Sequence, residues 1–225
     1  MIYPGDIVSY LEMCADFGIN LQRGMNFRLR NGESVILMSI RPGAPYEDRV
    51  EQGGKTILYE GHDISRKKGG PDPQTVDQPE ALPSGRLTQN GLFIRAVNVF
   101  KSGKGDAERV RVFEKIRAGI WAYNGLFKSV DGWEETSGHR QVFKFKLELT
   151  DAIPGVQGRL REELNHDRVI PSAVKLAVWK RDKGRCVSCG SQDNLHFDHV
   201  IPYSQGGSIK SHRKHSNFMC KAQLG

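Results

Sequence analysis

The stretch Gln141-Val142-Phe143-Lys144-Phe145-Lys146-Leu147 sets apolar Phe143, Phe145 and Leu147 against Lys144 and Lys146 with a period of two. That period turns successive side chains to opposite faces, so the segment predicts a half-buried β-strand. Outward from it, Val35-Ile36-Leu37-Met38-Ser39-Ile40, Thr56-Ile57-Leu58-Tyr59 and Leu92-Phe93-Ile94-Arg95-Ala96-Val97 are equally short, β-branched or aromatic, and mostly bounded by Gly, Pro and Asn. They predict further strands. Several short strands divided by turn signals imply a curved sheet or barrel. Residues 66–85 hold four of the ten Pro and three Gly, which predicts a long loop, and loops of that length inside a domain are often functional. Residues 2–18 predict an amphipathic helix with Ile7, Leu11, Cys14 and Phe17 on its apolar side.

The chain has 225 residues, 38% hydrophobic and 26% charged, which suits one or two soluble globular domains and excludes a disordered chain. No apolar run approaches the ~20 residues of a membrane span, so no membrane partner is expected. The first residues carry no basic region ahead of their apolar ones, so neither a signal nor a transit peptide is expected. Of four Cys, Cys186 and Cys189 form a C-x-x-C pair, which favours reduced thiols and a metal over a disulfide framework. These features point to the cytoplasm. The net charge of +7 and pI near 9.3 favour a polyanionic partner, although a solvated basic face gives the same sum.

Organisation changes near the end of the strand region. Residues 1–150 read as one unit, 151–169 as a polar, Gly-containing linker, and 170–225 as a second unit. In the second, residues 172–181 predict a helix with Val174, Ala177 and Val178 on its apolar face, ended by Asp182-Lys183-Gly184. Then comes Arg185-Cys186-Val187-Ser188-Cys189-Gly190. Two thiolates at this spacing can both reach one Zn²⁺, and the Gly permits the tight turn. Redox C-x-x-C motifs follow a strand at the start of a helix, whereas this pair follows a helix and a Lys-Gly-Arg turn, which favours metal.

The run VWKRDKGRCVSCGSQDNLHFDHVIPYSQGGS, within residues 170–208, resembles the first half of an HNH nuclease module of the ββα-metal type. Helix, knuckle, Asp-His pair and Gly-Gly turn occur in the family's order. Taken alone, Asp198-His199 reads as a surface acid beside a hydrogen-bonded His. The resemblance implies that His199 is the general base that takes a proton from water, and that Asp198 helps hold a catalytic Mg²⁺ or Mn²⁺. It also implies that the Zn²⁺ at Cys186 and Cys189 is structural.

After the Gly-Gly turn the family continues with an Asn-containing segment of the form ENIQ-L-C-x-x-H/C-N, which supplies two more zinc ligands, an orienting Asn and a second catalytic-metal ligand. This chain reads SIKSHRKHSNFMCKAQLG, with Lys214 and Gln223 where the two Asn would fall. Residues 209–224 can be written in codons which, read one base later, give SKATENIQILCAKHNL. Codon choice is free mainly at the wobble base; the outer letters are largely fixed, and Met219-Cys220 forces a Cys in the shifted frame. A frameshifted HNH module with incomplete metal sites is therefore expected. Cys220, with His212 or His215, is the candidate substitute zinc ligand.

The first unit also resembles a family. Residues 39–54, then Ile57-Leu58-Tyr59-Glu60-Gly61-His62-Asp63, are similar to the Gly-Gly-Tyr-Glu-Asp-Asp and Tyr-x-Gly segments of the SRA (SET- and RING-associated) domain. Gln89-Asn90-Gly91-Leu92, Val110-Arg111-Val112-Phe113 and Tyr123-Asn124-Gly125-Leu126-Phe127 follow in the family's order. The resemblance implies an α+β unit, a curved β-barrel with flanking helices, that flips a modified cytosine out of DNA. A flipped base regains stacking on aromatic faces and gives an exocyclic amine to a carboxylate. Tyr46 and Tyr59 are the candidate rings and Asp48 the candidate acceptor. Aligned without a gap after Tyr46, the family's pocket Asp falls on Arg49, so Asp48 takes the role by a local shift or the pocket differs; Glu60 and Asp63 are the substitutes. Without the resemblance, these residues read as tyrosines packed in a barrel beside a surface acid.

Arg66-Lys67-Lys68, Lys101, Lys104, Arg109, Arg111, Lys115 and Arg117 could neutralise phosphates. The combined expectation is a prokaryotic, type IV, modification-dependent restriction endonuclease. Its partner is double-stranded DNA carrying 5-methyl- or 5-hydroxymethylcytosine, and a homodimer is expected because one HNH centre cuts one strand. The alternatives are a modified-DNA binding protein with a dead nuclease, and a zinc-dependent interaction protein unrelated to DNA.

Overall fold

The computed structural model describes residues 2–150, 170–199 and 216–220, with the backbone alone at 198–199 and 216–220. Strand β1 (Ile7–Ser9) runs directly into helix α1 (Tyr10–Phe17). Ser9 is the junction because its hydroxyl accepts from Glu12 N while the Glu12 carboxylate accepts from Ser9 N, a reciprocal cap that satisfies two donors the helix cannot. Gly18, at φ 63°, ends the helix in a left-handed conformation. The predicted helix over 2–18 is thus half its expected length. Its apolar face is Met13 and Cys14, whereas Leu11 is 76% exposed.

Strands β2 (Met25–Asn26), β3 (Ser34–Met38), β4 (Arg49–Glu51) and β5 (Thr56–Glu60) precede helix α2 (Gln89–Lys101). The predicted strand over 92–97 lies inside this helix. Thr88 caps it by accepting from Gly91 N, and Phe93 and Val97, four residues apart, form its buried stripe. The Gly that weakens the helical pattern has a packing reason: a Cβ at Gly91 would meet the Glu80 carbonyl oxygen at 2.3 Å. After α2 come β6 (Glu108–Arg117), β7 (Ile120–Ser137) and β8 (Arg140–Leu149), which contains the alternating stretch.

These strands form one mixed sheet in the order β2-β3-β6-β7-β8-β5-β4, with β1 added along β7. Only β3 and β6 run parallel. Among the described residues no ladder joins β2 to β4, so the expected barrel is an open path, bent at bulges between Val112/Phe113 and Ser129/Asp131. Strand β3 is buried on both faces. Ile36 and Met38 join the main core with Ile57, Phe93, Phe127 and Phe145, while Val35 and Leu37 join a second core under α1 with Met13, Phe113 and Trp121. In β8, Phe143, Phe145 and Leu147 are buried as expected, and Lys146 lies outside against Glu148, but Lys144 is buried as well.

The C-terminal elements are helix α3 (Ser172–Asp182), β9 (Leu195–His199) and β10 (Ser216–Cys220), the last two paired antiparallel. The expected linker over 151–169 lies outside the described residues. Val178, Cys186, Leu195 and Phe197 pack on Ile116 and Ala122 of the sheet. Lys175 is buried there: its Nζ donates to Glu114 Oε2 at 2.7 Å and Asn124 Oδ1 at 2.6 Å. A second polar seam joins His196 Nδ1 to Asp6 Oδ1 at 3.1 Å and Phe197 N to Gly5 O at 3.0 Å. Among the described residues no helix is long and apolar enough to cross a membrane.

Lys175→Met leaves the Glu114 carboxylate buried without its cation, and this should destabilise the protein by about 3–5 kcal/mol. The double variant Lys175→Met/Glu114→Gln should recover most of that loss. Urea denaturation of both variants measures the difference.

Candidate functional site

The segment between β3 and β5 is held first by Asp48. Asp48 Oδ2 accepts from Ser39 N at 3.3 Å, just past β3, and Oδ1 accepts from Glu60 N at 3.0 Å, at the end of β5. Asp48 is 8% exposed. Burial outweighs the two backbone donors, with the Glu60 charge adding to it, and its pKa is pushed up to about 7. Tyr46, two residues before, is partly buried, and burial followed by the Asp63 charge raises its phenol pKa.

The acids that follow are already partnered. Glu60 accepts from Arg140 Nη2 at 3.1 Å, Lys144 Nζ at 2.9 Å and Glu47 N at 3.1 Å. Asp63 accepts from Arg140 Nη1 and from Gln78 Nε2, the latter at 3.1 Å. Gln78 also accepts from Phe143 N, and Asn90 pairs with both backbone groups of His62, so the long loop and α2 are laced to β5 and β8. Gly61 is required where these converge. A Cβ there would meet Asn90 Oδ1 at 2.6 Å and Gln78 Oε1 at 2.7 Å. His62 Nε2 is buried without a hydrogen-bond partner among the described residues, and burial lowers the ring's pKa, which keeps it neutral near pH 7.

The structure therefore brings Tyr46, Asp48, Glu60 and Asp63 together, with different standings. Glu60 is saturated by cations. Tyr59 is 1% exposed, and its ring belongs to the main core. Tyr46, Asp48 and His62 are left as groups at or near neutrality beside a compensated Glu60–Asp63–Arg140–Lys144 cluster. That combination suits hydrogen bonding and stacking with a neutral heteroaromatic ring better than binding an ion. Arg140, Gln78, Asn90 and His62 were not singled out from sequence. Arg140 could have been, as the one cation at the start of the alternating strand.

Four of the nine expected phosphate-binding cations are engaged by acids. Lys101 pairs with Asp131 at 2.6 Å, Arg109 with Glu33 at 2.8 Å, and Arg111 with Glu33 at 2.9 Å and Asp16 at 3.4 Å. Arg66 meets Asp72 at 3.1 Å. Lys115 instead lies over the Trp121 ring at 5.8 Å, and Arg117 over Trp179 at 5.3 Å.

In the second unit, Cys186 is buried and Cys189 exposed. Their turn is fixed by Cys186 N donating to Ser191 O at 2.8 Å and Gly190 N donating to Cys186 O at 2.9 Å, with Gly190 at φ 75°. Asp198 and His199 end β9, and the ladder sets them opposite Asn217 and Ser216; Cys220 stands opposite Leu195, a few residues past the knuckle. His212 and His215 lie outside the described residues. No set of three or more His, Cys, Asp or Glu able to hold a metal occurs among the described residues. The described side chains thus supply two ligands of a zinc site, Cys186 and Cys189.

No family model matches this chain, and neither does any curated protein. Solved structures that match include the SRA domain of SUVH5 bound to fully hydroxymethylated CG DNA, at 25% identity and TM-score 0.47, over 70% of this chain and 95% of that one. KRYPTONITE in complex with mCHH DNA, an H3 peptide and SAH matches at 19% identity and TM-score 0.48, over 71% and 34%. The DNA modification-dependent restriction endonuclease AspBHI matches at 14% identity and TM-score 0.42, over 72% and 39%.

Because the folded pKa of Asp48 lies above that of an unfolded Asp, folding takes up a proton between about pH 4 and 7. This contribution to stability is full below that window and is lost as pH rises through 7. Asp48→Asn should flatten the fall in stability between about pH 4 and 7, measured by chemical denaturation at each pH.

Proposed function

We propose that the chain reads a modified cytosine in duplex DNA with its first unit, and that its second unit is built on an HNH nuclease plan. The observation that carries the reading is the placement of Asp48: a buried carboxyl that joins the ends of β3 and β5 two residues from Tyr46, with the neighbouring acids neutralised by Arg140 and Lys144, and with burial pushing its own pKa up to about 7. A cytosine presents an exocyclic amine donor beside a ring-nitrogen acceptor. A carboxyl close to half-protonated at neutral pH can accept from the first and donate to the second, whereas a fully ionised one can only accept. Tyr46 supplies a ring for stacking, which is worth about 1–3 kcal/mol per base. The sequence resemblance of the first unit supports the same substrate class.

In the second unit His199 would take a proton from the attacking water and Asp198 would help hold Mg²⁺ or Mn²⁺, which would neutralise charge on the scissile phosphate. Cys186 and Cys189 would hold a structural Zn²⁺, with Cys220 as a third ligand. A second reading is favoured by one observation in the sequence, the absence of the family's two Asn after the Gly-Gly turn. In that reading this chain binds modified DNA and does not cut it. A cutting enzyme would act on both strands as a homodimer.

Fluorescence anisotropy with matched duplexes should give tighter binding to 5-methyl- or 5-hydroxymethylcytosine than to cytosine. Tyr46→Ala and Asp48→Ala should each lower that preference by roughly tenfold, in line with the loss of one stacking or base-edge contact. Equal affinity of the wild-type chain for all duplexes would overturn the base-reading function. With Mg²⁺ or Mn²⁺ added, nicking of modified duplex that is abolished by His199→Ala identifies a nuclease; a gel shift with uncut DNA, converted to cutting when the frame after residue 208 is restored, identifies the binding-only chain.

A further inference from the structure

Three cations gather where no carboxylate answers them. The Gly24 carbonyl accepts from Leu37 N at 2.8 Å, which sets Arg23 against the C-terminal end of β3. In the parallel ladder Met38 lies opposite Glu114, so Lys115 stands beside the first residues of the 39–48 segment, and Arg41 is in that segment. The three converge closely enough that Arg41 and Arg23 add to partial burial in lowering the Lys115 pKa. Lys115 Nζ lies over the Trp121 face at 5.8 Å, and the Arg41 guanidinium makes a long contact to Ser39 Oγ at 3.5 Å. Among the described residues none of the three forms a salt bridge, in contrast to Arg109, Arg111, Lys101, Arg140 and Lys144.

Like charges brought together by three different chain segments repel, and a folded protein keeps such an arrangement at a stability cost unless an anion offsets it. The site is also tied to the base-reading residues. Ser39, two residues before Arg41, donates its N–H to Asp48. Lys115 follows Glu114, the last residue of the β3–β6 ladder, and so stands beside the chain as it leaves β3. A phosphodiester presents two charged oxygens that a guanidinium can grip with paired donors and an ammonium can approach as a point charge.

We propose that Arg23, Arg41 and Lys115 form a clamp for a DNA backbone phosphate beside the nucleotide held at Tyr46 and Asp48. The position of the clamp rests on the base-reading function proposed above; its affinity for phosphate does not. A clamp of this kind raises affinity for modified and unmodified duplex alike and carries no base preference.

The test is anisotropy titration of the full chain with modified and unmodified duplexes between about 50 and 200 mM salt, comparing wild type with Arg23→Gln/Arg41→Gln/Lys115→Gln. The slope of log affinity against log salt should shrink by about one to two in the variant, for both duplexes, while the preference for modified cytosine stays. The charge-keeping variant Arg23→Lys/Arg41→Lys/Lys115→Arg should retain the wild-type slope, which separates charge from folding. An unchanged slope in the Gln variant overturns the clamp, as does a loss of slope shared by the charge-keeping variant. Wild type that prefers neither duplex, with a slope that still shrinks in the Gln variant, overturns the placement beside a flipped base and the base-reading function together.

Discussion

Two adjacent strands of the sheet, β5 and β8, place ionisable groups where water cannot reach them, and the rest of the first unit is arranged around satisfying those groups. Glu60 and Lys144 sit opposite each other in the ladder, and Arg140 closes the set from the start of β8 while also holding Asp63. A buried set like this contributes little net stability, because desolvation of each charge offsets most of the attraction. What it does fix is position. Glu60 can accept its cations and the Glu47 N–H only if the 39–48 segment lies across the end of β5. That requirement brings Tyr46 and Asp48 to the same place.

The consequence for Asp48 is indirect. With Arg140 and Lys144 committed to Glu60 and Asp63, no cation forms a salt bridge with Asp48 among the described residues, and two backbone N–H groups are weaker compensation than an ion pair. Burial then holds the carboxyl near half-protonation. The neutral His62 ring beside Gly61 follows the same logic, since Asn90 engages the backbone of His62 and leaves its ring nitrogen buried.

Much of this was legible in the sequence where periodicity speaks, and little where pairing across the fold decides. The alternation of Phe143, Phe145 and Leu147 predicts β8 and its buried face, and Asp182-Lys183-Gly184 marks the end of α3, where Lys183 takes a left-handed conformation. The same rule misassigns Lys144, because alternation cannot show that a partner strand carries Glu60. The segment 92–97 fails differently. Its β-branched and aromatic content suggests a strand, yet the Thr88 cap and the close approach at Gly91 decide for a helix. Lys175 gave no sign of burial, since its partners Glu114 and Asn124 lie on other elements. At the candidate site, Tyr46 and Asp48 were reached through the family resemblance, whereas Arg140, Gln78 and His62 matter only through contacts distant in sequence.

Among the cations behind the net charge of +7, two sets stand in different surroundings. Arg140, Lys144 and Lys175 are spent inside, where each neutralises an acid the fold has buried, and Arg109 and Arg111 are tied to Glu33. They contribute almost nothing to the field outside, because their partners cancel them at close range. Among the described residues Arg23, Arg41 and Lys115 form no salt bridge, and they lie within or beside the segment whose carboxyl is pushed towards neutrality. A ligand that is neutral at its recognised ring and anionic along its chain meets both conditions at once: an ionised acid at Asp48 would repel the approaching phosphates that the three cations attract. Protonation of Asp48 and exposure of the cations therefore act in the same direction, each reducing the electrostatic cost of bringing a polyanion to the site.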